Sequence, residues 1–192
     1  MDDLVSLRQQ YRADKAAVFA DLAETGASTR GVRSALQRLA RLTDQTLREL
    51  WSMAGFGPGF SLIAVGGFGR GELFPFSDVD VLVLLPDGSQ PDHDATLKTR
   101  LEGFIGACWD LGLEIGSSVR TAADCVAEAE KDVTVQTSLL ECRLIAGSKN
   151  AFSSLVGQLA EAMDPKAFFA AKTLEMRPRH TKFENTPYSL EP

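Results

Sequence analysis

Two carboxylates one residue apart, Asp78 and Asp80, stand inside the otherwise apolar run 77–85. Side chains alternate across a strand, so both acids share one face, about 6–7 Å apart along the backbone. A buried strand carries two acids side by side on one face only where a cation neutralises them. Hard oxygen ligands on a rigid strand suit Mg2+ or Mn2+. Two such ions about 3.5–4 Å apart are the device of phosphoryl and nucleotidyl transfer. They neutralise a triphosphate, lower the pKa of an attacking hydroxyl and stabilise the leaving pyrophosphate. Ten residues upstream of the acids, Gly66-Gly67 closes an apolar strand predicted at 62–65. A glycine turn there lets the backbone approach phosphates and donate N–H bonds to them. Asp78 and Asp80 are therefore candidate metal ligands, and Gly66 and Gly67 candidate triphosphate contacts.

Other residues of the stretch LIAVGGFGRGELFPFSDVDVLVLL (62–85) fall in behind these four. Arg70 is a candidate partner for a phosphate or carboxylate. Glu72 is expected to organise the loop, by pairing with Arg70. Ser77 offers a hydroxyl beside the metal carboxylates. Two commoner glycine motifs are excluded by spacing. No lysine follows Gly71, so there is no P-loop, and GGFGRGE has no G-x-G-x-x-G register for a dinucleotide.

The elements that must position these groups follow from periodicity. Residues 1–24 and 30–54 read as amphipathic helices, separated by a break at Gly26, with Ser28 or Thr29 capping the second. The arginine-rich face of that second helix (Arg30, Arg33, Arg38, Arg41 and Arg48) reads as solvated surface. GFGPGF (55–60) ends the helical part. Beyond the central stretch comes a loop at 86–94 whose three aspartates read as solvated. A helix follows at 95–111 with Cys108 and Trp109 in its inward stripe, closed by Gly112, and a third strand is expected at 113–119. Thr121 caps a helix to Glu130. Asp132 caps another, expected to run to Gly147, and Ser148 a further one to Met163. A last helix is expected from Lys166 to Arg177, stopped or kinked by Pro178, with an extended tail after it. The expected fold class is α+β, a small mixed sheet set among helices.

Composition bounds the function. At 192 residues, 44% hydrophobic and 24% charged, the chain has the make-up of an ordinary globular protein. A formal charge of −6 argues against a broad nucleic-acid surface but not against a nucleotide pocket. No apolar run approaches the roughly 20 residues of a membrane span, and Met1 is followed by Asp2 and Asp3 instead of a basic leader. Cys108, Cys125 and Cys142 have no pair spacing for a structural zinc, and with His93 and His180 they read as packing or surface residues of a reduced, cytoplasmic protein.

An apolar strand, Gly-Gly, ten residues and Asp-Val-Asp resemble the DNA-polymerase-β-like nucleotidyltransferase superfamily. Within it, VGGFGRGELFPFSDVDVLVLL is similar to the nucleotidyltransferase domain of the family that uridylylates the PII signal protein. The stretches LGLEIGSSVRT (111–121), TVQTSLLECRLIAG (134–147) and RHTKFENTPYSLEP (179–192) agree. The resemblance covers most of 60–192, while the N-terminal helices match only in position and character. It implies transfer of UMP from UTP to a tyrosine hydroxyl of PII with Mg2+ or Mn2+. It also implies a third metal-binding carboxylate on a neighbouring strand, for which Glu114 is the candidate. Arg120, at that strand's end, reads equally as structural or ligand-binding. The organisation implied is an N-terminal helical segment (1–57), a nucleotidyltransferase core (58–130) and a C-terminal helical segment (131–192). The family continues into hydrolase and glutamine-binding domains, for which this chain is expected to be a fragment. Two further readings fit the same residues: transfer of another nucleotide to another acceptor, such as protein adenylylation, and a nucleotide-binding module without turnover.

Overall fold

The computed structural model describes residues 2–25 and 28–182. Two long helices, α1 (Asp2–Thr25) and α2 (Thr29–Ala54), lead into strand β1 (Ser61–Ala64), a one-turn helix α3 (Gly66–Gly69) and strand β2 (Val79–Leu84). Helix α4 (Ala95–Leu111), strand β3 (Ile115–Arg120), helices α5 (Ala122–Lys131) and α6 (Val133–Leu140) and strand β4 (Arg143–Gly147) follow. Helices α7 (Lys149–Ala162) and α8 (Pro165–Lys182) complete the described chain. The break expected at Gly26 and the tail 183–192 lie outside the described residues.

The four strands form one mixed sheet in the order β3-β2-β1-β4. β1 runs antiparallel to both β2 and β4, whereas β2 and β3 are parallel. A parallel pair needs a crossover, and α4 supplies it. Alternation along β2 splits the core in two. Val79, Val81 and Val83 join Tyr11, Val18, Leu39, Leu47 and Phe104 on the face covered by α1, α2 and α4. Leu82 and Leu84 join Ile63, Cys125, Leu139 and Leu155 on the face covered by α5, α6 and α7. Asp80 belongs by the same alternation to this second face and is the one exposed residue of β2.

Local signals account for most boundaries. Ser28 caps α2 by accepting from the Gly31 N–H, and Gly55 ends it in the left-handed conformation. Thr121 and Asp124 form a reciprocal capping box on α5. Ser148 caps α7. Asp94, expected in solvent, instead caps α4 by accepting from the Leu97 N–H.

Several expectations are corrected. The segment read as one helix from 133 to 147 is α6 followed by β4, because residues 143–147 gain a ladder on the free edge of β1. Trp109, assigned to the inward stripe of α4, is 65% exposed, since the apolar arc of that helix is wider than the face it buries. Helix α8 runs through Pro178 to Lys182, although a prolyl ring removes one backbone donor. Glu72 lies 3.6 Å from Arg33, while Arg70 pairs with Glu141. The arginine face of α2 is only partly solvated. Arg38 binds Asp21 at 2.7 Å, and Arg48 donates to the Ile145 carbonyl at 2.9 Å. Among the cysteines, Cys108 and Cys125 are buried, which pushes their thiols up to about 12 and about 11.

Candidate active site

The hydrogen-bond ladder brings the ends of three strands to one place. The Val65 N–H donates to the Asp80 carbonyl at 3.1 Å, extending the β1–β2 ladder to the start of the glycine turn. Gly66 has φ +56, a left-handed conformation that favours glycine. A Cβ built on it would lie 3.7 Å from Asp80 Oδ2 and 3.4 Å from Ser138 Oγ, so the turn, the carboxylate and α6 meet at Gly66. Gly67 is in ordinary helical backbone, and a Cβ there would meet only Arg70 Nη2, at 3.7 Å. The turn's far end is tightly packed. A Cβ on Gly69 would fall 1.7 Å from the Glu141 carbonyl oxygen, so nothing larger than glycine fits.

Asp78 sits just before β2 and Asp80 within it, both exposed at the sheet's end. Asp80's carboxyl is held above the usual carboxylate range, first by partial burial and then by the charge of Asp78. In the parallel register Asp80 faces Gly116 and Val79 faces Ile115. The absence of a side chain at 116 has a direct use, because a Cβ there would lie 2.4 Å from Asp80 Oδ1. Glu114 precedes β3, its carbonyl accepting from the Val79 N–H at 2.7 Å. It thus stands one step ahead of the Val79–Ile115 pair, alongside Asp78, with its side chain exposed.

A cleft of about 390 Å3 opens beside Asp80, lined by Gly116, Ser118, Arg120, Thr134 and Ser138 among others. Its hydroxyls and guanidinium provide donors for an anionic, hydrogen-bonding ligand next to the carboxylates. Ser77 and Glu114 border a different cavity, of about 300 Å3, with Tyr11, Lys15 and Phe74. Ser77 Oγ donates to the Phe74 carbonyl at 3.1 Å, so it closes a turn. Arg70, a candidate partner for a phosphate or a carboxylate, is ion-paired with the carboxylate of Glu141.

The structure therefore brings Asp78, Asp80, Gly66 and Gly67 together. Among the described residues no three His, Cys, Asp or Glu side chains converge as a group able to hold a metal. The acidic pair nonetheless fits a divalent cation: two carboxylates repel each other there, and Gly116 keeps Oδ1 of one of them unobstructed. Ser138 and Gly116 were not singled out from the sequence as site residues. The only signal for Gly116 was its place on the same strand face as Glu114, and Ser138 gave none.

A model of the nucleotidyltransferase domain matches residues 44–141, a span that holds β1, β2 and β3, the glycine turn, Asp78, Asp80 and Glu114. The chain belongs to the nucleotidyltransferase family. Curated relatives of this nucleotidyltransferase include the bifunctional uridylyltransferase/uridylyl-removing enzymes of Burkholderia orbicola (strain AU 1054), 54% identical over 190 residues, and of Burkholderia vietnamiensis, 56% identical over 191. That of Cupriavidus pinatubonensis is 53% identical over 186 residues. These matches cover 97–99% of this chain and 20–21% of each relative, so the nucleotidyltransferase spans about a fifth of their length. Among its described residues no helix is long and apolar enough to cross a membrane.

Proposed function

We propose that this nucleotidyltransferase transfers UMP from UTP to a tyrosine hydroxyl of the PII signal protein and releases pyrophosphate. Identity of 53–56% with enzymes named for uridylyl transfer, extending over nearly the whole chain, is the observation that carries this reading. The site supports it with an acidic pair beside a glycine turn and a polar cleft. A cytoplasmic reaction is in keeping with UTP as the donor.

Asp78 and Asp80 would hold Mg2+ or Mn2+, with Glu114 as the third acid. Such ions neutralise the triphosphate and make a hydroxyl with a free pKa near 10 a competent nucleophile at neutral pH. The Gly66-Gly67 backbone holds the triphosphate against Asp80, and Arg120, Thr134 and Ser138 line the cleft that receives the rest of UTP. The direct test incubates the chain with labelled UTP, Mn2+ and PII. Label on PII supports the reading. Binding of UTP with no label on any acceptor favours a module without turnover, and label from ATP in place of UTP reassigns the base.

Two substitutions divide the roles. Gly67→Val is expected to weaken UTP binding more than folding, because the space around a Cβ at 67 is open but the side chain intrudes on the triphosphate. Calorimetric titration with UTP and Mg2+ checks it, and unchanged affinity in a folded variant makes Gly67 a plain turn residue. Glu114→Gln is expected to depress the transfer rate strongly with little change in UTP affinity. Equal rates for parent and variant remove Glu114 from the acid set.

A further inference from the structure

The glycine turn is held from behind by a side chain that neither the sequence motifs nor the cleft includes. Arg143, the first residue of β4, donates from Nε to the Gly69 carbonyl at 3.3 Å and from Nη2 to the Phe68 carbonyl at 3.2 Å. Its guanidinium carbon lies 5.5 Å from the centre of the Phe68 ring. The other side of the same fork binds Asp44 of α2 twice, Nη1 to Oδ2 at 2.6 Å and Nη2 to Oδ1 at 3.0 Å. Asp44 is only 6% exposed, the one charged residue among the buried residues described. A buried carboxylate is costly unless paired, and a planar guanidinium is the one side chain that can satisfy it bidentately while also binding two carbonyls. Arg143 therefore ties the last two carbonyls of α3 to the long helix α2. Gly69, pressed against the carbonyl of Glu141 at the end of α6, fixes the same end of the turn from the α6–β4 connection.

We propose that Arg143, aimed by Asp44, is a positioning residue that sets the orientation of the Gly66–Gly69 turn toward the nucleotide triphosphate. The proposal rests on the reading of that turn as the triphosphate holder. Four residues of helix with three glycines have little rigidity of their own. The direction of the Gly66 and Gly67 N–H groups depends on what holds the turn's other end, and Arg143 holds its two carbonyls. The plain alternative is an ion pair that only fastens α2 to β4. Arg48 supplies the control: it joins the same two elements through the Ile145 carbonyl at 2.9 Å, does not touch the turn, and reaches Asp44 Oδ2 only at 3.9 Å, beyond hydrogen-bond distance.

The test compares Arg143→Lys, Asp44→Asn and Arg48→Ala with the parent chain. Its readouts are thermal melting, the amide resonances of Gly66 and Gly67, and calorimetric affinity for UTP with Mg2+. Lysine keeps the charge but has no planar fork. Arg143→Lys and Asp44→Asn are expected to shift both glycine amide resonances in the nucleotide-free protein and to weaken UTP binding by about tenfold. Arg48→Ala is expected to lower melting comparably with affinity unchanged. Parent-like resonances and affinity in Arg143→Lys overturn the proposal, as does a loss of affinity in Arg48→Ala equal to that in Arg143→Lys. If Gly67→Val binds UTP as the parent does, the turn is not the triphosphate holder, and the reading of the site falls together with the positioning role. A weakened Gly67→Val beside an unaffected Arg143→Lys overturns the positioning role alone.

Discussion

Asp80→Asn is expected to reduce transfer about a thousandfold or more while leaving the protein folded, with Asp78→Asn close behind. Removing one carboxylate from a cation site withdraws several kcal/mol of barrier stabilisation, and each 1.4 kcal/mol is about tenfold in rate. The fold does not depend on either charge, since both acids are exposed at the sheet's end and the core on either side of β2 is made by its valines and leucines. In metal-free buffer Asp80→Asn is expected to melt slightly higher than the parent at neutral pH. The sign follows from the raised carboxyl of Asp80, pushed up by burial and then by Asp78. An acid whose pKa is raised on folding destabilises the fold once it ionises, with the penalty growing as pH climbs from the ordinary carboxylate range through the raised value. Below that range both states are protonated and the advantage of asparagine should vanish. Added Mn2+ should raise melting of the parent more than of the variant. A variant that retains transfer within about tenfold of the parent places the cation elsewhere.

How much of this was legible in the sequence depends on the range of the interaction responsible. Asp-Val-Asp in an apolar run declares a strand with two acids on one face, because period-two alternation is a local property. The left-handed caps at Gly55 and Gly112 and the polar caps at Ser28, Thr121 and Ser148 are local too, and they stand where the sequence puts them. Strand β4 was hidden. Residues 142–147 follow a helical run without a turn signal, and only Ile145 among them is β-branched. Their extended form comes from pairing with β1, about 80 residues away in the chain. Asp44 sits among arginines on a helix face that reads as solvated, and only its distant partner Arg143 shows why it is buried. Arg70, within the glycine stretch, reads as a partner for a phosphate or a carboxylate. The structure gives it a carboxylate, that of Glu141, from the α6–β4 segment that reads as a single helix in the sequence.

Gly116 makes the sharpest separation between shape and chemistry, and its expected effect is the second largest. In a strand, alanine loses less backbone freedom on folding than glycine and is favoured by roughly 0.5–1 kcal/mol. Gly116 has ordinary extended backbone with no left-handed φ to protect it, so Gly116→Ala alone carries no conformational penalty. What the added methyl meets is Asp80 Oδ1, at 2.4 Å, with Asp80 Cγ at 3.6 Å and Cα at 4.0 Å. The first contact is impossible at van der Waals distance, and its partner is the free end of a short side chain. The carboxylate must therefore rotate away while the backbone stays. Melting of Gly116→Ala is expected to remain within a few degrees of the parent, since a change of about 1 kcal/mol shifts melting by only about 2–4 °C in a chain of this size. Transfer is expected to fall about a hundredfold, the scale on which an ångström of misplacement costs an enzyme. Groups acting as a unit are not additive, so the double variant Gly116→Ala/Asp80→Asn should be little slower than Asp80→Asn alone. Full multiplication of the two losses would mean that Gly116 serves the reaction by some route other than Asp80. A Gly116→Ala protein with near-parent transfer would mean that the carboxylate works from a rotamer other than the one facing β3.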